Sequence, residues 1–242
     1  MGKCEFSLVH LTEIFKLAIN LGYQVIPCQK YLKYKRLSGK KVLVNRVDID
    51  YRCFEASKIA EMFNNLKIKG TFFIRLHAEE YNPFSIKNYD YLQYIKKSGH
   101  ELGLHCEALN ISKSWNLPPE SLLRKDIKLL NEMMEIKLFG VASHRELQEE
   151  NNLNFWRQRR PSEFGLSYHA YDSEPKFNLF NASVYVSDSL CKWNCYRNGI
   201  LDKADIRCLC EHLKDNNRVL YTLIHPSNQI FYKKRLNADR RS

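Results

Sequence analysis

No uninterrupted apolar run of membrane-spanning length occurs in the sequence, and that absence narrows its class before any motif is considered. A bilayer-spanning helix needs about 20 consecutive, mostly apolar residues. The first apolar stretch, residues 7–22, is broken by His10, Thr12, Glu13 and Lys16, and Glu5 puts an acidic residue early, so it suits neither a span nor a secretory signal. The expectation is a cytoplasmic protein with no transmembrane segment. Internal repeats, low-complexity tracts and a clear interdomain linker are also missing, with nine glycines and seven prolines spread over 242 residues. A chain of that length buries a core without staples, and one α/β domain is the simpler reading. The eight cysteines (Cys4, Cys28, Cys53, Cys106, Cys191, Cys195, Cys208 and Cys210) are few for the length, and several stand in apolar or helical contexts where a reduced thiol packs as a small hydrophobe. Neither Cys191 with Cys195 nor Cys208 with Cys210 has the Cys-x-x-Cys spacing of a zinc ribbon. Nothing else along the chain completes such a site, so no structural zinc is expected there.

Acidic residues are in deficit, 27 against 38 basic ones, for a formal net charge of +11. An excess of that size favours polyanionic partners through counterion release and electrostatic steering. Its distribution argues otherwise. The cations collect in short runs at residues 33–41, 157–160 and 233–241, which read as solvated loops and ends. No helix-turn-helix, zinc-finger or aromatic-interleaved RNA-binding pattern accompanies them, so no specific nucleic-acid binding is expected. An anionic glycan, a nucleotide-linked sugar or a membrane surface would use the same charge.

Along the chain, apolar residues at Leu8, Leu11, Ile14, Phe15, Ala18 and Leu21 make one helical face that Gly22 ends. Residues 41–50 read as a buried strand, 55–66 as an amphipathic helix and 71–75 as the next strand. Strand, helix, strand with short connections is a βαβ unit with a right-handed crossover and a parallel sheet. The alternation continues with a helix at 88–98, a short strand at 101–105, a long helix at 119–137 and a strand at 141–144. A helix at 205–215 and a final strand at 218–225 complete it. Between about 150 and 200 the pattern weakens into Asn, Ser, Tyr and Phe, as irregular loops over a site would.

Chemistry-bearing residues fall at the C-terminal ends of these strands: Asp48 and Asp50, Arg75 and His77, His105, His144 and Arg145, and His225. In α/β barrels the active site is assembled from that edge. Asp48 and Asp50 share one face of their strand, where two buried like charges need a cation or a shared proton. A divalent metal accepts carboxylate oxygen together with imidazole nitrogen, which makes Asp50 and His105 the best ligand candidates. Asp48 can act as a general base and His225, before Pro226, as a general acid.

The chain resembles the polysaccharide deacetylase family, the NodB-homology carbohydrate esterases. The likeness rests on Arg46-Val47-Asp48-Ile49-Asp50, Gly70-Thr71-Phe72-Phe73-Ile74-Arg75, Tyr81-Asn82-Pro83, Gly99-His100-Glu101-Leu102-Gly103-Leu104-His105-Cys106-Glu107 and Leu223-Ile224-His225-Pro226, in the family's order. It is nearest to a cytoplasmic-type branch with Arg-His-Asp-Val-Asp and Gly-Leu-His-Tyr-Glu motifs, which also resembles this chain at Ser143-His144, at residues 185–189 and at Trp193. The resemblance implies a single-domain incomplete (β/α) barrel of about seven parallel strands over residues 41–242, with residues 1–40 forming a helix and a basic loop packed on it. It also implies a hydrolase using a divalent metal, zinc by preference, to remove an acetyl or similar acyl group from an N- or O-acylated sugar or polysaccharide in polysaccharide or sugar-precursor metabolism.

The family's usual pattern has adjacent aspartates and two histidines four residues apart. Here Ile49 separates the aspartates, Leu109 occupies the second histidine's place and Val47 stands where the nearest branch has its histidine. The third ligand must come from elsewhere, with His144 preferred, then Glu107, and His100 as a residue that caps or packs. Arg75, Arg145, Asp188 and Trp193 are candidates to bind substrate; for Arg145 a salt bridge, and for Trp193 packing, is the plainer role. The departures carry an alternative reading, a catalytically silent barrel that binds a glycan or a protein partner.

Overall fold

The computed structural model describes residues 4–34, 39–144, 152–172 and 176–231. Its strands are β1 (Gln24–Ile26), β2 (Val42–Ile49), β3 (Thr71–Ile74), β4 (Glu101–Cys106), β5 (Gly140–Ser143), β6 (Tyr168–His169), β7 (Val184–Ser187), β8 (Asn194–Arg197), β9 (Ile200–Asp202) and β10 (Val219–Ile224). Between them run α1 (Leu8–Asn20), α2 (Cys28–Tyr34), α3 (Cys53–Asn65), α4 (Ile86–Lys97), α5 (Ala108–Trp115), α6 (Pro119–Met134), α7 (Leu179–Ala182) and α8 (Leu209–Lys214).

The apolar run that begins at Val42 becomes β2, buried at every position, because helices cover one face and the sheet's own curvature covers the other. The strand order is β6-β5-β4-β3-β2-β10-β7-β8-β9, with β1 paired to the start of β2. From β6 through β7 every pairing is parallel, and the β7–β8–β9 end is antiparallel. Seven parallel strands in sequence, open between β6 and β9 among the described residues, make the incomplete (β/α) barrel that the motifs imply.

Curling is visible in what the inward side chains touch. Val44, Phe73, Ala142, Tyr168, Phe177, Tyr185 and Tyr221 form one interior cluster, and the Tyr221 hydroxyl of β10 donates to the Ala170 carbonyl just beyond β6 at 3.2 Å. Close approach is made possible by glycine: a Cβ at Gly140 would collide with the Tyr168 ring, and one at Gly103 with Phe73. Glu101 sits at the inner end of β4 and accepts from Thr71 Oγ1 at 2.6 Å, the Tyr168 hydroxyl at 2.7 Å and the Gln29 amide at 2.9 Å.

The helices match their sequence periodicity. In α1, Ser7 Oγ accepts from the His10 amide at 3.2 Å as an N-cap, and Leu11, Ile14, Phe15 and Ala18 are buried. One expectation needs correction: the first forty residues hold more than a helix and a basic loop. They contribute β1 and α2, and the basic stretch 33–41 begins inside α2, with residues 35–38 outside the described residues. A three-residue strand and a seven-residue helix are too short to show a period. The basic tail from residue 233 onward also lies outside the described residues. Among those described, no helix is long and apolar enough to cross a membrane.

His100 lies on the helix side of the sheet, not at the mouth. Its ring packs against Phe63 and Phe72, with centroids 6.0 and 5.2 Å away, and its Nδ1 accepts from the Gly70 amide at 3.2 Å. Burial, with Lys69 second, pulls its imidazole down to about 4. An unfolded histidine titrates near 6.5, so the unfolded chain takes up this proton first. His100 therefore contributes stability that is full above about pH 6.5 and is lost as pH falls toward 4, a span of about 3 kcal/mol. In His100→Gln, which keeps an acceptor for Gly70, the unfolding free energy is expected to fall less steeply over that range by one proton's worth of slope. Equal slopes for the two proteins would remove His100 from the acid response.

Candidate metal and proton-transfer site

Alternation along each strand decides which side chains enter the barrel. On β2, Val44, Arg46 and Asp48 face inward together, and Asp50 follows on the same parity just past the strand. Parallel register then brings Asp48 beside Phe73 and His105 beside Ala142 at the same end of the sheet.

Arg46 is fully buried and clamps Asp48 in a bidentate pair, Nε to Oδ1 at 2.8 Å and Nη2 to Oδ2 at 2.6 Å. Its guanidinium lies 4.6 Å from the Tyr171 ring centroid and 5.3 Å from that of Phe73. Burial alone would raise the Asp48 carboxyl, but Arg46 and then His105 hold it below its ordinary range. Local sequence assigns this arginine no role; its shared parity with Asp48 is the available signal, masked by the rule that arginines face water.

His105 is the hub. Its Nδ1 hydrogen bonds the Ala142 carbonyl at 3.0 Å, and a carbonyl only accepts, so that nitrogen carries the hydrogen. Its Nε2 faces Asp48 Oδ2 and Asp50 Oδ1, each at 3.3 Å. Asp50 Oδ1 is buried and has no hydrogen-bond donor. Desolvation opposes ionisation of Asp50, yet His105 and His225 hold its carboxyl far below the usual range.

His225, at the end of β10, meets Asp50 Oδ2 through its Nε2 at 3.6 Å. Its Nδ1 lies 2.6 Å from Asp188 Oδ1, and its amide donates to both oxygens of Asp188 at 3.0 Å. Gln229 Nε2 adds a third donor to that carboxylate at 3.0 Å. Against the cost of burial, Asp188 lifts the His225 imidazole to about 9. Asp188 is fully buried, so in this structure it faces His225 and not a substrate.

The other sequence candidates separate. Glu107 is held by Arg75 Nη2 at 2.7 Å and lies 3.4 Å from His144 Nδ1; although burial raises it, His144 and Arg75 bring its carboxyl to about 2. Arg75 also donates to the Asp50 carbonyl at 3.0 Å and to Glu80 at 3.2 Å, so its guanidinium braces the mouth from within the protein. His144 stands edge-on to His105 with ring centroids 5.2 Å apart, and its Nδ1 has no hydrogen-bond partner. His77 turns away to Asp126 at 2.9 Å. Trp193 is buried against Phe6, with ring centroids 5.3 Å apart, and is a packing residue here. Arg145 lies outside the described residues.

Asp48, Glu107 and Asp188 are closed off, whereas Asp50 and His225 keep 14% of their side-chain surface and His144 keeps 19%. Those three keep the most surface toward a ligand at the mouth, with His105 Nε2 and Asp48 Oδ2 directly beneath Asp50. Groups of three or more donor atoms within 4.8 Å of one another do occur among the described residues, at Cys4, His10, Cys208 and Cys210 and at Cys195, Asp205 and His212, and not at the mouth.

No family model matches the sequence, and no curated protein matches it. Among solved structures the chain is similar to the Streptococcus pyogenes deacetylase PplD in complex with acetate, at 11% identity over 54% of this chain and 59% of that one, with a TM-score of 0.41. It is also similar to a mutant of BA3943, a CE4 family pseudoenzyme with restored enzymatic activity, at 12% identity over 78% of this chain and 58% of that one, with a TM-score of 0.45. The chain thus spans less than two thirds of either solved chain, and the likeness is one of chain course.

Proposed function

We propose that the chain removes an acetyl group from an N- or O-acetylated sugar or polysaccharide, using a divalent metal, zinc by preference, held by Asp50, His105 and His144. The observation that carries this reading is at His105. Its Nδ1 hydrogen is committed to Ala142, its Nε2 stands 3.3 Å from Asp50 Oδ1, and that oxygen lacks a donor. An imidazole lone pair facing a carboxylate oxygen is repulsive until positive charge lies between them, and mixed oxygen and nitrogen donors suit zinc. His144 would supply a third nitrogen from the ring edge-on to His105, its Nδ1 facing Glu107 at 3.4 Å. Glu107 is the lesser choice because Arg75 already holds it.

When bound, a divalent ion supplies Lewis acidity, making water nucleophilic at neutral pH and polarising a carbonyl. His225 then serves as the proton donor, its ring fixed through Nδ1 by Asp188 while Nε2 delivers the proton to the departing nitrogen or oxygen. Asp48 takes the proton from the attacking water. Arg46 keeps that carboxylate ionised and aimed, at the expense of its basicity. The free cysteines fit a reducing compartment, and we place the protein in the cytoplasm.

A second reading has its own observation. Arg46, Asp48, His105, Asp50, His225 and Asp188 form an alternating series of cations and carboxylates, linked at 2.6–3.6 Å, that neutralises itself once both imidazoles are protonated. A silent barrel binding a glycan or a protein partner would keep that series without an ion.

Acetate release from acetylated amino sugars, their nucleotide-linked forms and acetylated oligosaccharides separates the two. The expected result is turnover that a chelator abolishes and zinc restores, with Asp50→Asn slower by about 10³-fold or more and poorer by one metal equivalent per chain. A wild-type protein that releases no acetate and carries no more metal than Asp50→Asn sinks the enzyme reading in favour of the silent barrel.

A further inference from the structure

None of the eight cysteines has a part in the mouth, and the local sequence offers nothing to complete a site around Cys208 and Cys210. Folding supplies what spacing did not. The segment before α1 carries Cys4 and the first turn of α1 carries His10, and both are laid against the start of α8, where Cys208 and Cys210 stand. One ligand atom from each of these four residues lies within 4.8 Å of the other three.

We propose that Cys4, His10, Cys208 and Cys210 form a structural zinc site separate from the mouth. Cys4 Sγ lies 3.9 Å from Cys210 Sγ, and His10 Nε2 lies 3.4 Å from Cys208 Sγ. A tetrahedral zinc with bonds of about 2.3 Å to sulfur and about 2.0–2.1 Å to nitrogen separates two sulfurs by about 3.8 Å and a sulfur from a nitrogen by about 3.5 Å. The observed separations are close to the edges of that tetrahedron.

The histidine is also oriented for the task. His10 Nδ1 faces Glu13 Oε2 at 3.4 Å, which places the hydrogen on that nitrogen and leaves the Nε2 lone pair toward the sulfurs. A carboxylate behind the remote nitrogen is the usual support for a zinc-bound imidazole. Burial pushes the Cys208 and Cys210 thiols upward when no ion is present. Gathering three thiols in such a place gives weak hydrogen bonds and little else. A soft divalent cation, by contrast, takes them as thiolates. Four protein donors leave no open position, so the site is closed and structural.

The second cluster does not share this character. Asp205 is occupied by Arg207, Nε and Nη2 each at 2.9 Å, and by Arg197 at 3.1 Å, so its carboxylate is already neutralised beside Cys195 and His212.

A zinc at the first cluster fastens residues 4–10 to α8 across some two hundred residues of chain. The fastened segment is the one that pairs with the stretch just beyond His225. Ile230 N donates to Phe6 O at 2.8 Å, Leu8 N donates to Ile230 O at 3.2 Å, and Phe6 packs on Trp193.

The test uses the full chain, purified without a metal-binding tag and loaded with cobalt(II) in place of zinc. The mouth contains no thiol, so a thiolate-to-cobalt charge-transfer band that persists in Cys195→Ser reports this cluster. The band is expected in the wild type, in Asp50→Asn and in Cys191→Ser, and is expected to vanish in Cys210→Ser with the loss of one metal equivalent. Should Cys210→Ser fail to fold, the wild-type spectrum still decides, together with alkylation that reaches Cys4, Cys208 and Cys210 only after chelation. Cobalt-loaded wild type without the band overturns the proposal, as does rapid alkylation of the three thiols without chelator or recovery of Cys4 and Cys210 as a disulfide.

Discussion

Replacing Arg46 by methionine is expected to lower the unfolding free energy by about 3–5 kcal/mol, the range for removing one partner of a buried ion pair. Arg46 is completely buried and directs two charge-assisted hydrogen bonds, at 2.8 and 2.6 Å, to an aspartate that is itself 1% exposed. Methionine preserves part of the packing against Phe73 and Tyr171 but leaves the Asp48 carboxylate with His105 Nε2, 3.3 Å away, as its nearest remaining polar neighbour. Domain stabilities are about 5–15 kcal/mol, so the variant approaches the edge of folding. The penalty belongs to the orphaned carboxylate more than to the lost pair. Arg46→Met combined with Asp48→Leu is therefore expected to regain most of the loss while having no activity. Urea unfolding of the three proteins checks this, and a single variant within 1 kcal/mol of wild type contradicts it.

Asp188→Asn is expected to lower kcat by about 10²–10⁴, the range over which a positioned proton donor contributes. The fold should remain intact because the amide is nearly isosteric. Asp188 fixes His225 through its ring and its backbone amide together. Asparagine can present its NH₂ group to Nδ1, which makes that nitrogen an acceptor and disfavours the imidazolium from which Nε2 delivers its proton. The sign of the pH effect follows from the carboxylate. Its charge supports the imidazolium against burial, so wild-type His225 remains protonated until about pH 9. Any stability from this pair is full below about pH 6.5, where an unfolded histidine is charged, and fades as pH rises through about 9. In Asp188→Asn the alkaline limb of kcat is expected to move to lower pH. Acetate release by the variant at the wild-type rate, with an unmoved alkaline limb, would remove His225 from proton transfer.

Much of the parallel core was legible because buried strands and amphipathic helices repeat their signals. The run through Val42, Leu43 and Val44 into Asp48, the interval from Glu101 to His105, and the final strand into His225 all lie where apolar patterning puts them. So does the gathering of strand ends at one mouth. Other features have no local signal. β1 is too short to display alternation, and the antiparallel β8–β9 hairpin has exposed positions that blur it. Asp188 and His225 are 37 residues apart, and Cys4 and Cys210 are 206 apart. Such pairs arise from sheet order, with β7 beside β10 and α1 beside α8, and neighbours in sequence carry no trace of it.

The aromatic filling beneath the mouth has a consequence for traffic. Tyr168, seated on Gly140 and stacked on Phe177 at 4.3 Å, together with Tyr221 and Tyr185, stops the barrel from being a passage. Among the described residues, this filling closes the route to Asp50 from beneath. A long polymer therefore finds no route to thread end-first through the barrel's floor.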